Sequence, residues 1–413
     1  MKKTLLMLSL FAILLTSCNG QNEDLFNVEK SFKTNESFLV PESRAIEQAI
    51  SFFNAKEKSK PSRKRASVKR RTLAALNTCH AQAQEGVYII NFENNGGFAV
   101  VSADKRDNVS VYIASPDGSF DENNNACQEL LFAVKNYQKA SISSYASNPD
   151  KGDATYTETT TVEENYGPLL STCWWQKGVF NRELKNIYGE NVNSPMGCVP
   201  VAIGQIINYY QYPDKIREEY IDWDLISQVS GREIYSTPAT NAASRLLYII
   251  GLGLGIDYPN ESGASYDDAV GEFRKLGYTF ATKKGYNATI VKKQISQGNP
   301  VYMRGQNDDG GHAWVADGFM KIKTEYRVYD ENGNLVENTV LNDYNYDNIY
   351  DYIHLNLGWG ESSLVNKMSR FEYQSSIDQR VWVYTDIFNF SDYGSHDLDF
   401  NTDIKLIYGF SHN

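Results

Sequence analysis

The 413-residue chain has only five cysteines and five histidines, and that scarcity excludes several classes of protein at once. Cys79, Cys127, Cys173 and Cys198 lie far apart with no CxxC spacing, so the cysteines do not form a disulfide framework. The histidines show no HExxH or similar pairing, so no metal site is expected, and no cofactor either. Long hydrophobic runs are missing too: the apolar stretch at residues 5–15 is too short to span a bilayer as a mature helix. Positive charge is in deficit, with 40 Lys and Arg against 51 Asp and Glu and a net charge of −11. The exception is residues 56–71, where nine Lys and Arg meet one Glu. That run reads as a solvated loop or a site for trypsin-like cleavage, and no nucleic-acid partner is expected.

What is present begins with an export signal. Lys2 and Lys3 precede the apolar run, and residues 1–17 read as a signal peptide. Leu15-Thr16-Ser17-Cys18 resembles the lipobox of bacterial lipoproteins, which implies an acylated Cys18 and a membrane partner through that lipid. Several acyl chains hold a protein firmly where one does not. Residues 18–39 then form a hydrophilic tether. The expected location is the outside of a bacterial membrane, the outer membrane or cell surface, with release of the mature domain on processing. An ordinary signal peptide that ends near a cysteine is the alternative.

The exported part is long enough to bury two cores. Residues 40–150 read as a small α+β unit: a helix starting at Pro41 with Ile46, Ala49, Ile50 and Phe53 on one face, then strands at 87–92, 98–103 and 109–114. Asn94-Asn95-Gly96-Gly97 marks a hairpin, and a helix over 127–144 closes the unit. Residues 147–164 lack apolar periodicity and are rich in Thr, Asp, Glu and Asn, so 151–164 is expected as a linker carrying a maturation site. Residues 165–413 change character. Helical faces come first (Val199, Ile203, Ile206, Ile207 and Tyr210; Ala243, Leu246, Leu247 and Ile250). Strands follow at 301–304, 312–319, 325–329 and 352–357, with Asn332-Gly333 as a turn. The expected fold class is α+β, with a helical half and an antiparallel sheet half meeting at a cleft.

Four residues in this second part make a chemical set. Cys198 stands where a loop becomes a helix, with Pro200 in the first turn, and the unpaired N–H groups there favour a thiolate. His312 follows paired glycines at the start of a strand, 114 residues later, as its base. Asn356 is placed to accept the second ring N–H and orient the imidazole. Gln176 is placed to donate to an oxyanion beside the Cys198 backbone N–H, and Trp359 to shield the His–Asn hydrogen bond from water. Each residue also has a bland reading, since a lone buried Cys is usually a small hydrophobe. His354 is read as a core histidine. The order Gln, Cys, His, Asn raises the joint weight.

The segments 168–178, 197–213, 299–318 and 354–360 resemble the streptopain family of papain-like bacterial cysteine peptidases. The similarity runs over roughly 165–360. Residues 40–150, above all 97–104, resemble that family's inhibitory propeptide, which covers the active site until it is removed. The resemblance implies a papain-like catalytic domain at 165–413 made as a zymogen. Its partners would be a peptide or protein substrate and its own propeptide. It assigns Cys198 as nucleophile, His312 as base, Gln176 as oxyanion donor and Asn356 as orienter. It further implies backbone contacts to bound peptide from the loop of Ser262, Gly263 and Ala264 and from Gly311, and an apolar preference one position upstream of the residue at the cut. Three departures stand out: Leu357 where the family has Trp, Pro200 where Ala is usual, and a divergent tail after Gly360. The alternatives are another thiol acyl-transfer enzyme, amidase or transglutaminase-like, and a catalytically silent surface lipoprotein that binds or inhibits.

Overall fold

The carbonyl of Pro41 accepts the amides of Arg44 and Ala45, which starts helix α1 (Glu42–Lys58) just after the proline. The computed structural model describes residues 38–58, 79–84, 86–93, 96–107, 109–121, 125–144, 156–306, 311–328, 346–358, 380–388 and 404–410. Helix α1 buries Ala45, Ile46, Ala49, Ile50, Phe52 and Phe53, the face its spacing predicts. Strands β1 (Cys79–Gln84), β2 (Val87–Phe92), β3 (Phe98–Ser102) and β4 (Val111–Ser115) form an antiparallel meander. The predicted hairpin joins β2 to β3, with the Phe92 amide bonded to the Gly97 carbonyl; Asn94 and Asn95 lie outside the described residues. Helix α2 (Asn125–Ser144) follows.

Strand β5 (Tyr156–Tyr166) then enters the sheet where a linker was expected over 151–164. It pairs along ten positions of a later strand, from Tyr156 with Val328 to Tyr166 with Phe319. The Thr-rich run suits a pleated strand because threonine is β-branched. It carries no apolar alternation because positions such as Thr159, Thr161 and Glu163 face solvent while Val162 packs on the core. The periodicity that would reveal a buried strand is absent for that reason.

The helical half comprises α3 (Arg182–Tyr188), α4 (Cys198–Tyr210), the small hairpin β6 (Lys215–Ile216) and β7 (Glu219–Tyr220), α5 (Trp223–Ile226), α6 (Pro238–Gly253) and α7 (Tyr266–Lys275). After β8 (Thr282–Gly285) and α8 (Ala288–Ser296) come β9 (Val301–Gln306), β10 (Gly311–Val328), β11 (Tyr346–Asn356), β12 (Arg380–Tyr384) and β13 (Lys405–Tyr408). The two strands predicted at 312–319 and 325–329 are one strand, β10. The turn predicted at Asn332-Gly333 lies outside the described residues.

Eleven described strands make one sheet in the order β1-β2-β3-β4-β12-β11-β10-β9-β13-β8, with β5 also on β10. The fold is α+β and papain-like, as expected, but the first α+β unit is not separate from the second. Its strand β4 pairs with β12 through Ile113–Val383 and Ala114–Trp382, so one sheet runs through both. Two cores flank this sheet. One contains α1, α2 and α8 with Met303, Trp314 and Ala316, and the other contains α3 to α7 with Tyr302, Ala313, Val315 and Ile407. Because side chains alternate along a strand, neighbours in β9 and β10 point to opposite cores.

Candidate active site

Helix α4 begins at Cys198 because of the residue before it. Gly197 has φ of 101°, and a Cβ there would stand 2.2 Å from the Ser262 carbonyl oxygen. Only glycine tolerates both the conformation and the approach. Pro200 fits the first turn, where its missing N–H leaves no helical bond unmade. Further along, a Cβ on Gly204 would meet the Leu247 side chain at 2.4 Å, so Leu247 of α6 packs directly on the α4 backbone. The helix is buried over most of its surface, which holds Cys198 rigidly at its first position.

Cys198 is half-buried and not in a disulfide. Burial pushes its thiol pKa up; the N–H of Ala313, the charge of Arg304 and the N–H groups of Cys198 and Val199 pull it down. The helix-start effect predicted for a thiolate is thus present, but desolvation outweighs it. Ala313 directly follows His312 on β10, so the strand that carries the imidazole also bears on the electrostatics of the thiol. The Gln176 carbonyl accepts the Met196 amide at 2.7 Å, which ties the Gln176 segment to the turn before Cys198.

His312 is buried, and its Nε2 lies 2.7 Å from the Leu357 carbonyl oxygen. A carbonyl only accepts, so Nε2 carries the proton and the neutral ring has its lone pair on Nδ1. Burial lowers the ring pKa to about 4, and the Leu357 hydrogen bond acts weakly against that. Trp314 stacks on the ring with centroids 5.9 Å apart and planes at 23°. Together the two pKa directions give a neutral thiol and a neutral imidazole near pH 7, in contrast to the thiolate expected from the helix start alone.

Asn356 differs from its predicted role. Its amide Nδ2 donates to the Thr172 carbonyl at 2.7 Å and to Gln205 Oε1 at 3.0 Å, and its Oδ1 accepts from Gln205 Nε2 at 3.4 Å. The ring N–H of His312 goes instead to the backbone carbonyl one residue further on. The reason is register: Asn356 pairs with Val315 at the end of β11, which turns its side chain toward α4 and brings the next carbonyl to the imidazole. Gln205 is the residue missed in the sequence. Its Oε1 also accepts from Thr172 Oγ1 and the Trp174 amide, both at 3.1 Å, so it clamps α4, β11 and residues 172–174 together. Standing two helical turns after Cys198 on an apolar face, a lone buried glutamine was the available signal.

The remaining predicted residues fall as follows. Gly263 is exposed with open space around its Cα, and Ala264 packs partly on the helical core. Gly311 is exposed at the start of β10. Trp359 and Cys18 lie outside the described residues. His354 is the core histidine expected, with Nδ1 2.6 Å from Asp317 Oδ1 and both groups buried.

Residues 174–363 match the Peptidase C10 family, and residues 37–141 match the Spi protease inhibitor family. Residues 174–363 are thus a C10-type peptidase domain, preceded by an inhibitor-type segment. Streptopain of Streptococcus pyogenes is 25% identical to this chain over 344 residues, which cover 69% of this chain and 80% of streptopain. The thiol protease/hemagglutinin PrtT of Porphyromonas gingivalis is 24% identical over 190 residues, 38% of this chain and 21% of its own. A prointerpain A fragment from Prevotella intermedia shares the fold, with a TM-score of 0.51 and 19% identity, covering 80% of this chain and 98% of that fragment. The C10 family is one of cysteine peptidases, and the inhibitor-type segment before it is that of a zymogen.

Proposed function

We propose that this chain is an exported, lipid-anchored cysteine endopeptidase made as a latent zymogen, with Cys198 as nucleophile and His312 as base. The observation that carries the proposal is Cys198 at the first position of α4, a helix packed on strand β10, which carries a histidine whose proton is fixed on Nε2. Nδ1 of His312 accepts the thiol proton, and the sulfur attacks the peptide carbonyl. The oxyanion forms near the Cys198 N–H and the Gln176 side chain. The imidazolium returns its proton to the leaving amine, and water then hydrolyses the thioester. Leu357 orients the ring through its carbonyl, and Asn356 positions the strand end that presents it.

The raised thiol and lowered imidazole pKa values favour a resting chain whose ion pair is not formed. Removing the inhibitor segment then lets water and substrate reach the pair. Acylation at Cys18 anchors the zymogen to the membrane. The test is the full chain with reductant, followed for peptide hydrolysis, together with mass spectrometry of the membrane form. Wild type should gain activity as it is processed, lose it to iodoacetamide and carry lipid on Cys18; Cys198→Ala should be inactive. Full hydrolysis by Cys198→Ala would overturn the mechanism, and an unmodified Cys18 would overturn the anchor.

A further inference from the structure

A groove beside the thiol has a charge opposite to that of the whole molecule. Its cavity of about 410 Å³ is lined by Tyr266, Lys283, Lys284, Arg304, Gln306 and Lys405 among others. Four cations face it against one carboxylate, Asp267, which is already bonded to Lys283. In a chain of net charge −11, such a cluster is a local field of the kind that draws in anionic groups.

The cations are built into place. Tyr266 lies under two of them, with Lys283 Nζ 5.8 Å and Lys405 Nζ 5.5 Å from its ring centre. Its hydroxyl donates to the Leu406 carbonyl and accepts the Lys284 amide at 3.0 Å, which locks the ring between β8 and β13. Arg304 meets a neutral group, Gln306 Oε1, at 3.2 Å. Among the described residues it makes no ion pair, so its guanidinium is available for a planar carboxylate.

Register connects this groove to the chemistry. Gly285, Lys405, Arg304 and Ala313 lie directly opposite one another across β8, β13, β9 and β10. The Ala313 N–H and the Arg304 charge both act on the Cys198 thiol, and β9 and β10 both pack on α4. Arg304 Nη2 also lies 3.1 Å from where a Cβ on Gly311 would stand. On the other side, Gly263 and Ala264 run directly into Ser265 and Tyr266 at the groove wall. One row of side chains therefore leads from the reacting sulfur to a cationic hollow.

The geometry points to this groove as a substrate subsite for a carboxylate side chain, Asp or Glu, on the acyl side of the bond cut and within three residues of it. The inference rests on the peptidase reading above. It also departs from the apolar preference that the family resemblance implies.

The experiment uses the full chain activated by its own processing. Fluorogenic peptides carry Glu, its isostere Gln, Leu or Lys in turn at each of the three positions upstream of the cut. At one position, Glu should exceed Gln in kcat/KM by about tenfold, since a charged partner makes the stronger hydrogen bond. The advantage should shrink as salt is raised. In Lys405→Glu, and separately in Arg304→Gln, the Glu/Gln ratio should fall toward one, each variant being compared with its own rate on the Gln peptide. Equal rates for Glu and Gln at all three positions, with the Gln peptides cleaved well, would overturn the subsite and leave the peptidase intact. No cleavage of any peptide by activated wild type would overturn the peptidase reading and the subsite with it.

Discussion

A hydrogen bond from the His312 ring to the Leu357 carbonyl sets both its tautomer and its orientation. A backbone acceptor cannot be removed by side-chain substitution, so Leu357 need not be aromatic to orient the ring. The same burial ties His312 to stability. Its pKa is lowered to about 4 from an ordinary 6.5, so the unfolded ring takes a proton first as pH falls. Stability associated with the neutral ring is whole above about pH 6.5 and is lost as pH drops toward 4, where the folded ring protonates as well. The loss amounts to roughly 3 kcal/mol at most. In melting experiments between pH 7 and pH 4, wild type should fall more steeply than His312→Gln. Parallel curves would refute the assignment, because His354 is common to both proteins and cancels.

At the scale of elements, strand β5 changes where maturation is expected. A cut was anticipated anywhere in 151–164, but from Tyr156 onward the backbone is paired with β10. Proteases bind their substrates extended and need several residues free of a ladder, so paired backbone resists them. The N-terminus of the processed chain should therefore fall at or before residue 156, as read by N-terminal sequencing. A cut inside 157–164 as the first event would show that β5 opens before processing. Much at this scale was legible in the sequence. The faces of α1, α4 and α6 and the β2–β3 hairpin follow from local periodicity and turn chemistry. Strand β5 was not legible, because a strand with one solvated face and polar residues on both carries no apolar alternation.

At the scale of the whole molecule, the inhibitor-type segment is bound to the rest by a sheet as well as by side chains. Strand β4 pairs with β12, and the Tyr352 hydroxyl donates to the Val111 carbonyl at 2.6 Å. The Phe52 and Tyr352 rings stand 5.1 Å apart, and Lys56 Nζ sits 4.5 Å from the Trp382 ring centre. Each aromatic or cation–π contact contributes about 1 kcal/mol, and the shared core adds apolar burial. Cutting the connection between α2 and β5 alone should not release the segment. After a single cut there, the two pieces should co-elute in gel filtration and separate only in mild denaturant or after further proteolysis. Immediate separation would mean that the shared sheet contributes little to holding the inhibitor in place.

What the sequence alone determined was local. A cysteine at a helix start, a histidine after paired glycines and the helical and strand periodicities are each set within a few residues, and the order of the two along the chain is read directly. The tertiary structure decided what depends on register between distant strands. It passed the ring N–H of His312 to the Leu357 carbonyl and turned Asn356 toward Gln205. It placed β4 beside β12, and it aligned Arg304 and Lys405 with Ala313 to make a cationic hollow beside an otherwise acidic molecule's thiol. A shift of one residue in any of those pairings reverses which face a side chain occupies, and no stretch of sequence short enough to read by periodicity contains both partners.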